Sequence, residues 1–327
     1  MSYNKYIGLY ETERKKINNI LSKALKGRKP VSLYEPGTYI LNSGGKRLRP
    51  MLVLLSAKAV GGTFKNSYNA AAAVEMLHNF TLVHDDIMDN ADKRRGRLTL
   101  HKKYDHNTAI LAGDSLLSVA YEYLLKDCNG NTRELISSFT HGLIEVCEGQ
   151  SMDTDFESRK NVSLSDYLIM IKKKTAAMAE MCCRIGAILG GGSSVQVSAL
   201  GNYGLNLGIA FQIQDDLLDI SADEKKFGKT IGGDLVEGKK TFLFLEALEK
   251  SRGEDRKQLI KIIERKGIRR NQVLKYKHLY EKLGVLDDAR KQIQVYTKKA
   301  LNSIKILDKE NYDIFLWLAD SLINRSS

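Results

Sequence analysis

The chain has 327 residues and a formal net charge of +12, with 43% hydrophobic and 28% charged residues. This length can form one large domain or two with a sizeable core, and the positive charge permits nucleic acid, an anionic membrane surface or phosphorylated small substrates as partners. The sequence contains no aromatic-interleaved basic patch and no nucleic-acid-binding motif, so nucleic acid is not an expected partner. The Lys- and Arg-rich stretch 256–270 is interpreted as a solvated helix face.

Two features of the sequence bear on its location. No apolar run reaches the roughly 18 residues that a membrane-spanning helix needs, and the polar stretch 1–16 does not resemble a signal peptide. The cysteines at 128, 147, 182 and 183 lack a zinc-binding spacing and are typical of buried thiols in a reducing compartment. We therefore predict a cytoplasmic protein without a membrane span.

Proline placement and apolar periodicity indicate an all-α fold. The only prolines are Pro30, Pro36 and Pro50, and apolar residues mostly recur at spacings of three and four. No linker, internal repeat or low-complexity segment is visible. We predict a single domain over residues 1–327, built as one large helical bundle around a central cavity.

The first predicted helices, 4–26 and 32–41, lead to a basic turn. Gly44-Gly45 interrupts the chain, and Lys46, Arg47 and Arg49 follow at the entry to an apolar helix over 51–60. Backbone N–H groups and the helix dipole favour an anion at such an entry. A surface basic turn is the alternative, and the paired glycines favour close approach to a phosphate.

The next predicted helix, 66–90, ends in Asp85, Asp86 and Asp89. These carboxylates share one side of the helix and repel one another, so a cation is expected among them, and oxygen ligands with open positions suit Mg²⁺. His78 lies two turns earlier on roughly the same face; a core histidine is the alternative for it.

Arg94 and Arg95 follow this acidic cluster and precede Gly96. Paired arginines beside a metal-binding cluster suit bidentate binding of a diphosphate. The alternative is a salt bridge to Asp92 or to the cluster itself.

Helices are predicted over 107–126, 131–152 and from an N-cap at Ser163 to 189. The last contains Lys172-Lys-Lys-Thr175, of which Lys174 and Thr175 are expected to point inward.

The helix predicted over 195–222 repeats the acidic design with Asp215, Asp216 and Asp219, and Gln212 lies one turn earlier. Both clusters fall at C-terminal helix ends, where the dipole disfavours negative charge. A local rule broken twice in the same way indicates a functional site, with both clusters at one mouth of the bundle.

The glycine-rich stretch 227–241 contains Lys229 and Lys239 and lacks the spacing of a Walker motif. It is interpreted as a lid over phosphates. Helices are predicted for the remainder, 241–327.

These motifs together resemble the trans-isoprenyl diphosphate synthases, or polyprenyl synthetases, over nearly the whole chain. The matching segments, in order, are Gly44-Gly-Lys-Arg-Leu-Arg-Pro50, Asp85-Asp-Ile-Met-Asp89, Arg94-Arg95-Gly96, Lys174-Thr175, Asp215-Asp-Leu-Leu-Asp219, Gly228-Lys-Thr-Ile-Gly-Gly-Asp234 and Gly238-Lys239.

The resemblance implies a prenyltransferase that condenses isopentenyl diphosphate with an allylic diphosphate (dimethylallyl, geranyl or farnesyl). It implies that three Mg²⁺ ions are held by Asp85, Asp86, Asp89 and Asp215, with Asp216 and Asp219 helping directly or through water. It implies that the allylic diphosphate is bound by Arg94, Lys174, Lys229 and Lys239, with Thr175 and Gln212 nearby. It implies that isopentenyl diphosphate is bound by Lys46, Arg49, His78 and Arg95. Asp85, Asp89, Asp215, Lys174 and Lys229 would be the catalytic groups.

Product length is expected to depend on Phe80 and Thr81. Phe80 lies five residues before Asp85, roughly 7.5 Å below it at helical rise. In the family a large residue here acts as the floor of the substrate pocket, so one aromatic residue resembles the geranylgeranyl (C20) type. The floor could instead lie at Leu116, Leu117 or Tyr121.

Other classes fit less well. A farnesyl (C15) synthase would favour two aromatic residues at the floor. A class I terpene cyclase would usually replace the second aspartate motif with an Asn/Ser/Glu site, and a non-catalytic partner subunit would normally lack one cluster. A di-iron bundle would need Glu-x-x-His pairs, which the motif helices lack. The family likeness also implies a homodimer, with exposed apolar faces within 107–150 as its candidate interface.

Overall fold

The computed structural model describes residues 2–221 and 231–323, and helices form nearly all of their regular structure. The strands in these ranges are β1, Lys93–Arg94, and β2, Arg97–Leu98, which pair antiparallel as one small hairpin. The predicted all-α class is confirmed. Within the same ranges, no helix is long and apolar enough to cross a bilayer.

The chain divides into two compact units. Unit 1 comprises Met1–Phe139 and Cys182–Leu200, and unit 2 comprises Thr140–Met181 and Gly201–Ser327. The single domain predicted from the sequence stays a prediction.

The first half of the chain follows the predicted helices closely. Its helices are α1 Ser2–Lys23, α2 Val31–Leu41, α3 Leu48–Ala59, α4 Tyr68–Met88, α5 Leu100–Lys103, α6 His106–Lys126 and α7 Thr132–Ser158, with a 3₁₀ turn at Phe64–Ser67. Helix α7 extends six residues beyond its predicted end at 152.

The second half is also helical wherever it is described. Its helices are α8 Leu164–Ile171, a π-helix Lys172–Ala176, α9 Ala177–Leu189, α10 Ser194–Ser221, α11 Gly233–Glu237, α12 Phe242–Lys250, α13 Gly253–Arg265, a 3₁₀ turn Arg270–Gln272, α14 Val273–Lys282, α15 Val285–Ser303 and α16 Lys309–Ile323.

Helix α8 begins where the sequence predicts. Ser163 accepts a hydrogen bond from the Asp166 N–H, and the Asp166 side chain accepts one from the Ser163 N–H, which completes a capping box. The predicted helix to 189 is not regular, because a π-helical turn separates α8 from α9. Such turns are frequent at functional sites, and this one contains Lys174.

Each unit has its own apolar core. In unit 1, α4 packs along α6, and the approach is close at Gly113 of α6, where an added Cβ would lie 2.5 Å from the His84 side chain of α4. In unit 2, Ile213 and Leu217 of α10 pack with Phe242 and Phe244 of α12 in one buried cluster. These cores fix the directions of α4 and α10, the two helices that carry the acidic motifs.

Candidate active site

The first acidic motif lies at the C-terminal end of α4, as predicted. Asp89 is the C-cap, and its N–H donates to the Asp85 carbonyl at 2.8 Å. Asp86 is buried, Asp85 is half-buried and Asp89 is exposed. Burial raises the pKa of the Asp86 carboxyl, and the nearby Arg94 guanidinium opposes that rise. The site therefore favours a positive charge beside Asp86.

The β1–β2 hairpin positions Arg94. Arg95 and Gly96 both adopt positive φ, at 52° and 74°, in the two-residue loop between the strands, which matches the twist of a short hairpin. Arg94 Nε donates to Asp86 Oδ1 at 2.7 Å. In this structure Arg94 thus forms the ion pair with the acidic cluster that the sequence left open as an alternative.

Arg95 lies against the glycine pair of the basic turn. Its Nη1 donates to Ser43 Oγ at 3.3 Å and to the Gly44 carbonyl. A Cβ added at Gly45 would lie 2.9 Å from the same nitrogen, so only glycine permits this approach. The structure brings Arg95 next to the turn that leads into Lys46. The sequence predicts that Arg95 and Lys46 bind the same substrate.

His78 and Arg49 belong to the same neighbourhood. The His78 Nδ1 atom is buried without a hydrogen-bond partner among the described residues. Burial lowers the pKa of His78 well below its usual range, and the positive charges of Arg49 and Arg95 lower it further. Both influences favour a neutral imidazole at His78, and the binding role of His78 stays a prediction.

The second acidic motif lies in the last two turns of α10, again as predicted. Asp216 is buried and accepts hydrogen bonds from the Tyr167 hydroxyl, from the Phe242 N–H at 3.0 Å and from Gln212 Nε2 at 3.2 Å. Burial raises its pKa to about 6, although these donors stabilise the ionised form. With its oxygens engaged by protein donors, Asp216 is better placed to hold its neighbours than to bind a metal directly.

Asp219 is also held by donors of the protein. Asp219 accepts hydrogen bonds from the Gly233 and Asp234 N–H groups, each at 3.2 Å, at the start of α11. Burial raises the pKa of Asp219. Asp215 is half-buried, as Asp219 is, so the triplet has partly exposed carboxylates beside the buried Asp216.

The π-helical turn positions Lys174 and Thr175. Helix α7 contacts this turn at Gly149, where an added Cβ would lie 2.2 Å from the Lys174 amide nitrogen. Lys174 Nζ is 2.5 Å from Asp153 Oδ2 on α7. Thr175 Oγ1 donates to Gln212 Oε1 at 3.0 Å, so Thr175, Gln212 and Asp216 form one hydrogen-bonded chain. The inward orientation expected of Lys174 and Thr175 agrees with these contacts.

The predicted lid is described only in part. Lys229 lies outside the described residues, together with the rest of 222–230. Lys239 is exposed, with its Nζ 2.8 Å from Glu237 Oε2. Its positive charge lowers the pKa of Asp219, so it lies within electrostatic reach of the second motif.

The predicted floor residue, Phe80, is 9% exposed on α4. Its ring centroid is 4.6 Å from that of His84. The Thr81 hydroxyl donates to the His78 carbonyl at 2.8 Å. Of the alternative floor positions, Leu116 is fully buried and Tyr121 packs edge-on against Phe139 at 4.8 Å.

Several groups of the site were missed from the sequence. Asp153 had a sequence signal, because it follows Gln150 by three residues and therefore shares one face of a predicted helix with it. Asp234 stands in a quoted motif, and burial with the nearby Asp219 raises its pKa to about 7. Tyr167 had no sequence signal, because nothing near it in the chain indicates its bond to Asp216.

The donor chemistry of both motifs fits magnesium. Their side chains offer only oxygen atoms, and each motif has a partly exposed carboxylate. In residues 2–221 and 231–323, no three His, Cys, Asp or Glu side chains are gathered as a finished metal site. The all-oxygen donor set of the motifs suits Mg²⁺, which usually keeps several waters and joins one or two carboxylates to substrate phosphates.

Comparison with known proteins agrees with these motifs. The polyprenyl synthetase family model matches residues 30–283. A geranylgeranyl diphosphate synthase from Sulfolobus acidocaldarius is 39% identical over 292 residues, 88% of each chain. The structure of a geranylgeranyl pyrophosphate synthetase from Pyrococcus horikoshii Ot3 has a TM-score of 0.92 at 35% identity, covering 99% of this chain and 100% of that one. A polyprenyl synthase from Caulobacter crescentus CB15, complexed with calcium and isoprenyl diphosphate, has a TM-score of 0.89 at 27% identity, covering 100% and 98%. The chain therefore belongs to the polyprenyl synthetase family.

Proposed function

We propose that the chain is a magnesium-dependent trans-prenyltransferase that condenses isopentenyl diphosphate with allylic diphosphates to form geranylgeranyl diphosphate (C20). The observation that carries the proposal is the repeated design of the two acidic motifs. Each ends a long helix, and each has cationic side chains in its own unit: Arg94 on Asp86 in unit 1, and Lys174 and Lys239 near the Asp215–Asp219 motif in unit 2. The archaeal relatives named geranylgeranyl diphosphate synthase support the product class.

The allylic diphosphate is proposed to bind at the acidic motifs. Three Mg²⁺ ions, when bound to Asp85, Asp86, Asp89 and Asp215, would neutralise the diphosphate and stabilise the charge that develops on it. The cations Arg94, Lys174, Lys229 and Lys239 hold its remaining oxygens. Asp216 and Asp219 fix the end of α10 through the hydrogen bonds described above, and Thr175 with Gln212 keeps the π-helical turn against it.

The chemistry requires charge stabilisation and exclusion of water. When the allylic C–O bond breaks, both electrons leave with the diphosphate, and fixed cations stabilise that negative charge in the transition state. The isopentenyl double bond then attacks the allylic carbocation, and the adduct loses a proton. Water would capture the cation, so an apolar surrounding is needed.

Isopentenyl diphosphate is proposed to bind Lys46, Arg49, His78 and Arg95. The contact of Arg95 with the Gly44 backbone and the positive charges around His78 support one anion-binding neighbourhood. A neutral His78 can donate one hydrogen bond to a phosphate oxygen without adding a charge that Arg49 and Arg95 would repel. Phe80, with Thr81 above it, is proposed to stop chain growth at C20.

Product analysis tests this function. The purified chain is incubated with Mg²⁺, isopentenyl diphosphate and each allylic starter in turn, and product length is measured. A C20 product is expected, and it should depend on both acidic motifs. Asp85→Asn and Asp215→Asn should each reduce turnover at least about a hundredfold, while Asp287→Asn, at an exposed aspartate on α15, should leave turnover unchanged.

Other outcomes would change the assignment. A C15 product would assign a farnesyl diphosphate synthase. Cyclised hydrocarbon formed without isopentenyl diphosphate would assign a terpene cyclase. Near-normal turnover in either motif variant would remove that motif from the metal site.

A homodimer is also proposed. Three apolar side chains on α6 are strongly exposed in the single chain, Ile110 at 41%, Leu111 at 58% and Leu125 at 47%, and isologous contact would cover them. A monomer by light scattering at working concentration would contradict this. A location in the reducing cytoplasm is also proposed, because the cysteine spacing is typical of a reducing compartment, and cell fractionation tests it.

A further inference from the structure

Half of the net charge of the chain is concentrated in one short segment of unit 2. Residues 257–275, which we name the basic hairpin, contain seven Lys or Arg and a single acidic residue, a net charge of +6 out of +12. This segment runs from the middle of α13 through the connecting turn into α14. None of its residues is proposed to bind substrate, although Gly267 packs against Val236 in the segment that carries Lys239.

The hairpin is a folded part of unit 2. Leu259 and Ile262 of α13 and Val273 and Tyr276 of α14 are buried in the core of the unit. Lys282 at the end of α14 forms a 2.8 Å ion pair with Asp255 at the start of α13. The two helices therefore run antiparallel, and their basic turn lies at the opposite end from this ion pair.

The outer face of the hairpin combines positive charge with exposed apolar side chains. On α13 the exposed residues follow one helical stripe, Lys257, Ile260, Lys261, Glu264 and Arg265. Ile260 is 38% exposed, and Leu274 at the start of α14 is 59% exposed. Ile260 is next to Lys261 in the sequence, and Leu274 is next to Lys275.

Most cations of this face form no ion pair within the described residues, although Lys275 Nζ lies 5.7 Å from the centroid of the Tyr276 ring. Five of them form no ion pair with any residue in the described ranges, namely Lys261, Arg265, Lys266, Arg269 and Lys275. All five are exposed. Concentrated unpaired charge of one sign opposes folding through self-repulsion, and an external anionic partner would relieve that repulsion.

We propose that the basic hairpin docks the protein onto an anionic lipid surface. Clustered Lys and Arg are attracted to acidic headgroups at about 1 kcal/mol each, and Ile260 and Leu274 can enter the apolar boundary beneath those headgroups. A nucleic acid would satisfy the charges but would leave these two apolar side chains without an apolar partner. The hairpin also lacks the exposed aromatic residues that stack on bases.

This surface does not rest on the proposed catalytic function, because its charge and exposure are properties of the chain itself. It agrees with that function, since a product with a C20 hydrocarbon tail leaves water most readily into a bilayer. Docking and catalysis can therefore fail separately in experiments.

Vesicle sedimentation tests the proposal. The full chain is mixed with vesicles of phosphatidylcholine alone or with roughly one-third phosphatidylglycerol, and the bound fraction is measured at low and high salt. The chain is expected to bind only the anionic vesicles, and less at high salt because screening shortens the reach of the charges. The triple variant Lys261→Glu, Arg265→Glu, Lys275→Glu should lower the partition coefficient at least about a hundredfold. The double variant Ile260→Ser, Leu274→Ser should also weaken binding while preserving every charge.

A matched variant separates this surface from general charge. Lys15→Glu, Lys23→Glu and Arg133→Glu change three exposed cations of unit 1 and alter the net charge equally, and this protein should bind as the wild type does. Circular dichroism and prenyltransferase turnover should be unchanged in all variants. Equal binding by the hairpin and control variants, absence of binding to anionic vesicles, or equally tight binding to duplex DNA would each overturn the proposal.

Discussion

The buried ion pair at the basic turn allows a quantitative prediction. Arg47 Nη1 lies 2.5 Å from Glu75 Oε1, and the side chains are only 2% and 3% exposed. Arg47 also donates to Asn18 Oδ1 and to the Leu41 carbonyl, both at 2.8 Å. The pair therefore joins α1, α2 and α4 around the turn that presents Lys46.

Removal of one partner should be costly. Arg47→Met leaves the Glu75 carboxylate buried without a counter-ion, and breaking such a pair typically lowers the free energy of unfolding by about 3–5 kcal/mol. Replacing both partners, as Arg47→Met with Glu75→Leu, should restore most of that loss, because no buried charge remains. Urea unfolding followed by circular dichroism measures both changes.

A surface pair provides the control. Arg14 and Glu11 are also 2.6 Å apart, but their side chains are 36% and 41% exposed, so Arg14→Met should cost less than about 1 kcal/mol. If Arg47→Met were as mild as Arg14→Met, or if the double variant were as unstable as the single one, then the pair would not hold the turn and this reasoning would be wrong.

Three other perturbations address the site. Phe80→Ala should shift products beyond C20, measured by product chromatography, because it removes the proposed floor below the acidic motif. Gly267→Ala should raise KM for the allylic diphosphate more than it lowers kcat, because an added Cβ would lie 2.1 Å from the Val236 carbonyl oxygen and displace the segment that carries Lys239. Folding lowers the pKa of His78, so the unfolded chain binds a proton at this residue more readily than the folded chain does. The free energy of unfolding should therefore fall as pH drops below about 6.5. The His78→Asn variant should lose less stability over that range, measured by urea unfolding at several pH values.

Each of these has a comparison that can contradict it. If Leu116→Ala lengthens the product and Phe80→Ala does not, the floor lies on α6. Gly284→Ala adds a Cβ at a positive φ of 71°, compared with 122° at Gly267, and no atom lies within 4 Å of that Cβ. An equal KM effect there would mean that backbone strain, not displacement of the segment, is responsible. If wild type and His78→Asn lose the same stability between pH 7 and pH 5, the pKa of His78 is not lowered by folding.

The sequence alone determined the helices and the location of the acidic motifs. Apolar spacing and the absence of proline after Pro50 are local properties, and they were sufficient to predict α4 and α10 to within about two residues, the usual uncertainty of helix ends. The same local information placed both aspartate triplets at C-terminal helix ends. The sequence also indicated the basic turn and Lys174, because charged residues are unusual at the entry to an apolar helix and within a helix predicted to line the core.

Only the tertiary structure decided which groups act on one another. Arg47 and Glu75 are 28 residues apart, and Tyr167 and Asp216 are 49 apart, so no local pattern could pair them. The small β-hairpin was missed because two-residue strands give no periodic signal. The π-helical turn was missed because its five residues, Lys172–Ala176, are too few and too polar to give a periodic signal of their own. Periodicity reports which face of an element is buried, whereas a hydrogen bond or ion pair depends on which elements meet, and that is set by packing of the whole unit.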